Sequence, residues 1–357
     1  MRMDFTRNLL HWYDTFPHRQ MPWKGEKNPY KIWLSEVILQ QTRVDQGWVY
    51  YERFTSAYPD IFALAAAEDE AVFKLWEGLG YYTRCRNLVA TARKIVSDFN
   101  GTFPSTYADI LQLKGVGPYT AAAISSFAFD LPHAVADGNV FRVLARYFGN
   151  HTPIDSSSGK LVFTALANQL LDHQRSADYN QAIMDFGATV CKPKIPLCST
   201  CVMTIHCQAF KHGVVNKLPI KEKVLQRSTR FFNYFAFSCG DRILVKQRVE
   251  KDIWNSLFEF YLVETGTSET WEAAKIEQVM SEQIGTSDYK IDHISSPFRQ
   301  QLTHQLIHTQ FIAIQLAAIP DALKDFRLIP RKSLNEVAFP KSIREYLEQQ
   351  SVHQHLF

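Results

Sequence analysis

The sequence predicts two domains: a mainly helical one over residues 1–212 and a smaller α+β one over residues 229–357. Three observations carry this. Up to about residue 190, apolar residues recur at helical spacing in segment after segment. Beyond Pro219 the pattern turns to runs of aromatic and β-branched residues around Cys239-Gly240-Asp241. Between the two, residues 213–228 read as a linker holding Gly213, Pro219 and alternating Lys and Glu. A chain of 357 residues is long enough for each part to bury a core of its own.

The first helix covers residues 5–13. Asn28 caps and Pro29 opens the next, which runs through Trp33, Val37 and Ile38. Residues 44–58, 61–79, 84–99, 140–148, 159–171 and 179–189 keep the same period. Between residues 107 and 124 two helices meet at Leu113-Lys114-Gly115-Val116-Gly117, with Pro118 in the first turn of the second. Two glycines around one apolar residue permit a tight turn and a close approach to a partner. The N–H groups opening the second helix then form an anion site. An ordinary turn between packed helices would use the same residues. In the last third, residues 231–239 and 242–249 predict a hairpin, 271–284 a helix and 308–317 a strand.

Composition sets limits. The apolar content of 46% is that of a globular protein, and no apolar run approaches the roughly 20 residues of a membrane helix. The first ten residues lack a signal-peptide core, so a cytoplasmic protein with reduced thiols is expected. A net charge of +3 says little, but residues 188–230 carry eight Lys and Arg against the single acid Glu222. Such a segment is either a solvated linker or an arm facing phosphates. Four cysteines are bunched there as Cys191, Cys198, Cys201 and Cys207. In a reducing compartment that is a metal site, and spacing alone leaves zinc and a four-iron cluster both open.

Two acids stand out. Glu36 lies within an apolar helix beside Trp33, Val37 and Ile38, where desolvation would hold its proton near neutrality. Asp137 enters a helix at Asp137-Gly138-Asn139-Val140, where the helix dipole and N–H groups favour its ionised form. A solvated-face Glu and a plain N-cap Asp are the structural alternatives. Together, one carboxyl protonated and one ionised suit cleavage of an N-glycosidic bond: the first protonates the departing base, the second meets the positive sugar.

These motifs occur in one order: Pro22-Trp23-Lys24, residues 35–44 from Ser35-Glu36 through Gln41-Thr42, Gly78-Leu79-Gly80-Tyr81-Tyr82-Thr83-Arg84, the hairpin, Asp137-Gly138-Asn139-Val140 and the four cysteines. The chain resembles the adenine DNA glycosylases, the MutY family of the endonuclease III, helix-hairpin-helix superfamily, strongly over residues 1–215. The resemblance implies a helix-hairpin-helix glycosylase fold, a [4Fe-4S] cluster on the four cysteines within residues 188–212, and a Nudix-like C-terminal domain. It implies a monofunctional enzyme of base excision repair that flips out adenine mispaired with 8-oxoguanine or guanine. In that reading Glu36 is the general acid at adenine N7, Asp137 stabilises or captures the oxocarbenium ion, Asn139 places it, and Tyr119 supports that intermediate. Tyr119 stands where endonuclease III has its Schiff-base lysine, and a phenol cannot form an imine.

By the same resemblance, Arg19, Trp23, Lys24 and Gln181 line the adenine pocket, with Lys24 in place of a common Arg and Gln181 in place of a common Glu. Gln41 and Tyr81 wedge into the base stack and Thr42 lies beside the damaged guanine, while Leu79, Arg84, Leu113, Gly115, Val116 and Gly117 belong to the DNA-facing set. Thr303 and His304 match the 8-oxoguanine reading loop, with Leu302 where the family has an aromatic. Residues 271–285 lack the glutamates of a working Nudix box, so no nucleotide hydrolysis is expected. The expected state is a nucleoid-associated monomer on double-stranded DNA carrying A:8-oxoguanine or A:G mispairs, with a sliding-clamp or mismatch-repair partner left open. A bifunctional oxidised-pyrimidine glycosylase and a non-catalytic DNA-binding module are the competing classes. Tyr119 and the C-terminal third argue against the first, and the Glu36–Asp137 pair against the second.

Overall fold

Helices form where the sequence places apolar residues every third or fourth position, and the computed structural model describes them over residues 2–16, 19–223 and 226–354. They are α1 (Arg2–Thr15), α2 (Pro29–Leu39), α3 (Val44–Ala57), α4 (Ile61–Ala66), α5 (Asp69–Trp76), α6 (Thr83–Phe99), α7 (Tyr107–Leu111), α8 (Pro118–Phe129), α9 (Gly138–Phe148), α10 (Ser157–Leu170), α11 (Ser176–Thr189), α12 (Gln208–Lys211), α13 (Ala273–Val279) and α14 (Lys341–Gln354). The chain forms two compact units, Met1–Ala66 with Arg86–Val224, and Ala67–Cys85 with Leu225–Phe357.

In the first unit α11 packs against α1, α8 and α9. Its Phe186 is buried edge-on to Trp12 of α1, with ring centroids 5.0 Å apart. Helix α2 packs on α3 and α8. Its entry is fixed by Asn28, whose Oδ1 accepts from the Tyr30 and Lys31 N–H groups at 3.0 and 3.4 Å, ahead of Pro29. The α7–α8 hairpin turns at Gly115, where φ is +80° and an added Cβ would stand 2.8 Å from the Asn87 side chain. Only glycine meets both demands without strain. Leu113 and Val116 are buried beneath the turn as its apolar anchors.

Two expectations change. Residues 61–79 do not form one helix: the chain breaks between α4 and α5, with Glu68 extended at φ −67° and ψ 135°. The break matters, because Ala67–Cys85 groups with the second unit rather than with the helical domain read over residues 1–212. The expected linker is also shorter than residues 213–228. Leu218 is buried, Ile220 O accepts from Ile154 N at 3.0 Å, and Asp155 accepts from the Glu222 and Lys223 N–H groups at 3.0 and 3.1 Å. Val224 and Leu225 lie outside the described residues.

The second unit is built on β1 (Ser228–Cys239), β2 (Arg242–Gln247), β3 (Phe258–Glu259), β4 (Tyr261–Thr265), β5 (Tyr289–Ile294), β6 (Phe298–Gln301), β7 (Gln305–Leu316) and β8 (Arg327–Pro330). The β1–β2 hairpin turns at Gly240-Asp241, as the sequence predicts, with Cys239 opposite Arg242. β1 pairs parallel with β7, and the other pairings are antiparallel. On one face, α13 and the wider turn after it cover Phe235, Phe237, Ile312 and Ile314. The Tyr346 ring of α14 stacks on Phe311 at 4.2 Å. Under the sheet Arg248 binds Glu259 and, at 3.0 Å, Asp252, while the Tyr234 hydroxyl donates to Glu259 at 2.9 Å.

Candidate active site

Helices α2, α3, α8, α9 and α11 of the first unit, with the stretch before α2, surround one cleft of about 890 Å³, roughly the upper range of small-ligand sites. Glu36, Tyr119, Asp137 and Asn139 all line it, as do Arg19, Trp23, Lys24, Gln181, Gln41, Thr42, Gly115 and Gly117. Residues from both ends of the helical domain thus reach one place.

Glu36 sits on the side of α2 that faces the core, 8% exposed. Desolvation is the main force on it, and the nearby Asp137 adds to it, so its carboxyl is pushed up from 4.5 to about 7. A hydrogen bond with Tyr119 pulls the other way and is outweighed. The Tyr119 phenol, buried and beside that carboxyl, is held far above its ordinary range and stays protonated. Its oxygen also lies 3.5 Å from Met184 Sδ, a weak contact beside the one to the carboxyl.

Asp137 is the N-cap of α9, and both of its oxygens accept hydrogen bonds. Oδ1 accepts from the Asn139 and Val140 N–H groups at 2.9 and 2.8 Å, and Oδ2 accepts from Asn139 Nδ2 at 2.8 Å. Asn139 Oδ1 in turn accepts from Arg142 Nη2 at 2.8 Å. The cap and the role expected of Asp137 are compatible, because both need an oriented carboxylate. Gly187 of α11 approaches Asn139 so closely that a Cβ there would stand 3.0 Å from Asn139 Cβ.

The four cysteines line a second cavity, together with Val143, Arg146, Phe186, Met203 and Phe210. Among the described residues no three His, Cys, Asp or Glu side chains close on a single ion. Donors point at the sulfurs: Arg146 Nη1 is 3.5 Å from Cys191 Sγ and the Met203 N–H 3.4 Å from Cys201 Sγ. Burial raises the thiols of Cys198 and Cys207, and takes Cys201 to about 11. Arg142 binds Cys191 O at 2.9 Å, and Arg146 binds Lys192 O and Pro193 O at 2.7 and 3.2 Å. Those two α9 arginines were not singled out from the sequence.

Other residues fall where their roles were not legible. Gln41 and Tyr81, the two residues expected as wedges, are both exposed and both left-handed, at φ 57° and 49°. Non-glycine residues in that region are strained, and such strain gathers at functional sites. Leu79 is buried in the second unit, and Leu113 and Val116 in the first, so their side chains serve packing. Arg84 also turns inward. It stacks on Trp76 and Tyr81 and reaches Gly80 O at 3.3 Å, and burial lowers it to about 10. It braces the 78–81 turn instead of projecting toward a phosphate. Thr303 and His304 form the exposed turn between β6 and β7, with Leu302 N bonded to Gln305 O at 2.8 Å. The Tyr81 hydroxyl meets Thr303 Oγ1 at 2.5 Å, within the same unit.

Comparison with known proteins gives the family and the fold. The model of the HhH-GPD superfamily of base excision DNA repair proteins matches residues 34–162, and that of the NUDIX domain residues 233–349. An adenine DNA glycosylase of Buchnera aphidicola (subspecies Schizaphis graminum) is 30% identical over 96% of this chain and 98% of its own length. This chain belongs to the adenine DNA glycosylase family. The protein of that name from the Baizongia pistaciae subspecies is 35% identical, covering 72% of this chain and 73% of its own. The mouse protein is 43% identical over 60% of this chain and 44% of its own. A thermostable thymine-DNA glycosylase has the same fold over 59% of this chain and 97% of its own, with a TM-score of 0.55 and 29% identity. Endonuclease III bound to DNA superposes with a TM-score of 0.52 at 21% identity, over 60% of this chain and 98% of its own.

The site carries a stability signature. A carboxyl raised on folding contributes stability that is complete below its unfolded value and is lost as pH rises through its folded one. Glu36→Gln is neutral throughout. Relative to it, the wild type should lose on the order of 2–3 kcal/mol between pH 5 and pH 8. Urea unfolding at each pH measures this, and a difference that stays constant with pH would mean that Glu36 is not desolvated.

Proposed function

We propose that this DNA glycosylase excises adenine mispaired with 8-oxoguanine or guanine, hydrolysing the N-glycosidic bond without cutting the strand. The observation that carries the reading is the pair of unlike carboxyls in one cleft: Glu36 buried and raised, Asp137 oriented by three hydrogen-bond donors. Glu36 gives its proton to N7 of an everted adenine. The C1′–N9 bond breaks with its electrons going to the base, and positive charge develops on the sugar. Asp137 faces that charge, directed by Asn139. Water adds to C1′ as its proton passes to a carboxylate, leaving an abasic site and free adenine. Tyr119 holds Glu36 in place and offers no amine for imine formation.

Everting the base costs a few kcal/mol, and the exposed, left-handed Gln41 and Tyr81 are suited to fill the gap. The α7–α8 hairpin meets phosphate through backbone N–H groups. Thr303 and His304 read the lesion opposite, as donors and acceptors on an exposed turn. Among the described residues no helix is long and apolar enough to cross a membrane.

Cys191, Cys198, Cys201 and Cys207 would hold a [4Fe-4S] cluster. Four sulfurs spread around one cavity, with donors aimed at two of them, suit a multi-atom cluster of thiolates. The cluster's contribution there is to fold the basic Cys191–Cys207 segment, and no chemical step passes through it.

Three outcomes are expected. On an A:8-oxoguanine duplex the protein should leave abasic sites that break only after hot alkali, and Glu36→Gln should bind the same duplex while excising roughly 10²–10⁴-fold more slowly. Efficient strand scission without alkali would reject the monofunctional assignment. Freshly purified protein should show a broad visible iron–sulfur absorption band, and a colourless protein holding zinc would contradict the cluster. Changing Thr303→Ala and His304→Ala together should shrink the preference for 8-oxoguanine over guanine; an unchanged preference means that the turn does not read the lesion.

A further inference from the structure

One buried acid in the cleft takes no part in the chemistry above. Asp185 of α11 is 4% exposed, and its two oxygens face two different cleft residues. Oδ2 accepts from Lys24 Nζ at 2.8 Å. Oδ1 accepts from Gln181 Nε2 at 3.2 Å, one helical turn earlier. The Lys24 ammonium lies over the Tyr13 ring at 5.2 Å, itself 14% exposed, so the pair is held between an aromatic wall and a helix.

A carboxylate only accepts hydrogen bonds, whereas an amide has one end that donates and one that accepts. Asp185 therefore decides which end of Gln181 faces it. The NH₂ end must turn to Asp185, and the carbonyl Oε1 is left for whatever enters the cleft. Among the described residues Oε1 meets no donor. Asp185 also occupies the ammonium of Lys24, a donor that lines the same cleft.

We infer that Asp185 is a positioning residue that fixes the Gln181 amide with its carbonyl toward the base, so that the cleft selects a purine carrying an exocyclic amine over one carrying a carbonyl there. This rests on the cleft being the adenine site. An amine donates to Oε1, whereas a carbonyl in its place sets two acceptors against each other. Sites built around a hydrogen bond reject the mismatched group far more strongly than sites built on shape.

The test is single-turnover excision of adenine and of hypoxanthine, each opposite 8-oxoguanine, by the full chain. Wild type should favour adenine. Asp185→Asn restores freedom to the amide, and should reduce the adenine-to-hypoxanthine ratio at least about tenfold, chiefly through slower adenine excision. Gln181→Leu should reduce the ratio as far, and adding Asp185→Asn to it should change the ratio no further. A merely structural Asp185 would instead slow both bases equally, and an equal loss or an unchanged ratio overturns the inference. Should Asp185→Asn fail to fold, Asp185→Ser takes its place and its ratio is read in the same way, while an unchanged ratio in Gln181→Leu overturns the inference. A wild-type chain that removes neither base sinks the adenine reading and this inference with it. One that removes adenine while Asp185→Asn keeps the ratio sinks the inference alone.

Discussion

The cleft depends on keeping one carboxyl dry. Glu36 is a charge-bearing residue on the face of α2 that buries Tyr30 and Ile32 through Ile38, and burial there holds much of it in the neutral form up to about pH 7. Water would return it to the ordinary carboxylate range, and a strong ion pair would take it lower still. The fold excludes both. The packing of α3 and α8 against α2 removes solvent, and the partners left to Glu36 are a phenol and a second acid.

The second acid is held by the opposite means. Asp137 is oriented by three N–H donors, and that arrangement is supported from behind. Asn139 is held by Arg142, and Arg142 also grips Gly187 O at 2.8 Å and Cys191 O at 2.9 Å. Arg146, one turn on, grips the next two carbonyls of the cysteine loop. Helix α9 therefore carries the Asp137 cap at one end and anchors the cysteine loop along its side. Disordering that loop would loosen the support beneath Asn139, so the cysteines bear on the site without facing it.

Much of this was legible in the sequence because it is local. The Asn28-Pro29 cap, the Gly115 turn, the Asp137 cap and the cysteine bunch each declare themselves within a few residues. The environment of Glu36 was legible too, since helical spacing alone surrounds it with Trp33, Val37 and Ile38. What depends on contacts across the chain was not. Arg84 reads as a DNA-facing residue, but Trp76 and Tyr81 fold over it. The grouping of Ala67–Cys85 with the second unit has no periodic signature, because an amphipathic helix shows that it has a partner and not which one. The strained backbone of Gln41 and Tyr81 runs against their residue types. Asp185 was passed over because Lys24 lies 161 residues away, although its spacing of four from Gln181 marks the pair as neighbours on one helix.

The central claim is that burial holds the Glu36 proton into the neutral range, and the most direct measurement is the titration of that one carboxyl. Protein labelled with ¹³C at glutamate side-chain carboxyls, compared with Glu36→Gln to assign the signal, gives its midpoint by NMR. A midpoint near 7 is predicted. A midpoint near the ordinary value of 4.5 would contradict the account, because the carboxyl would then be ionised when it is needed as an acid.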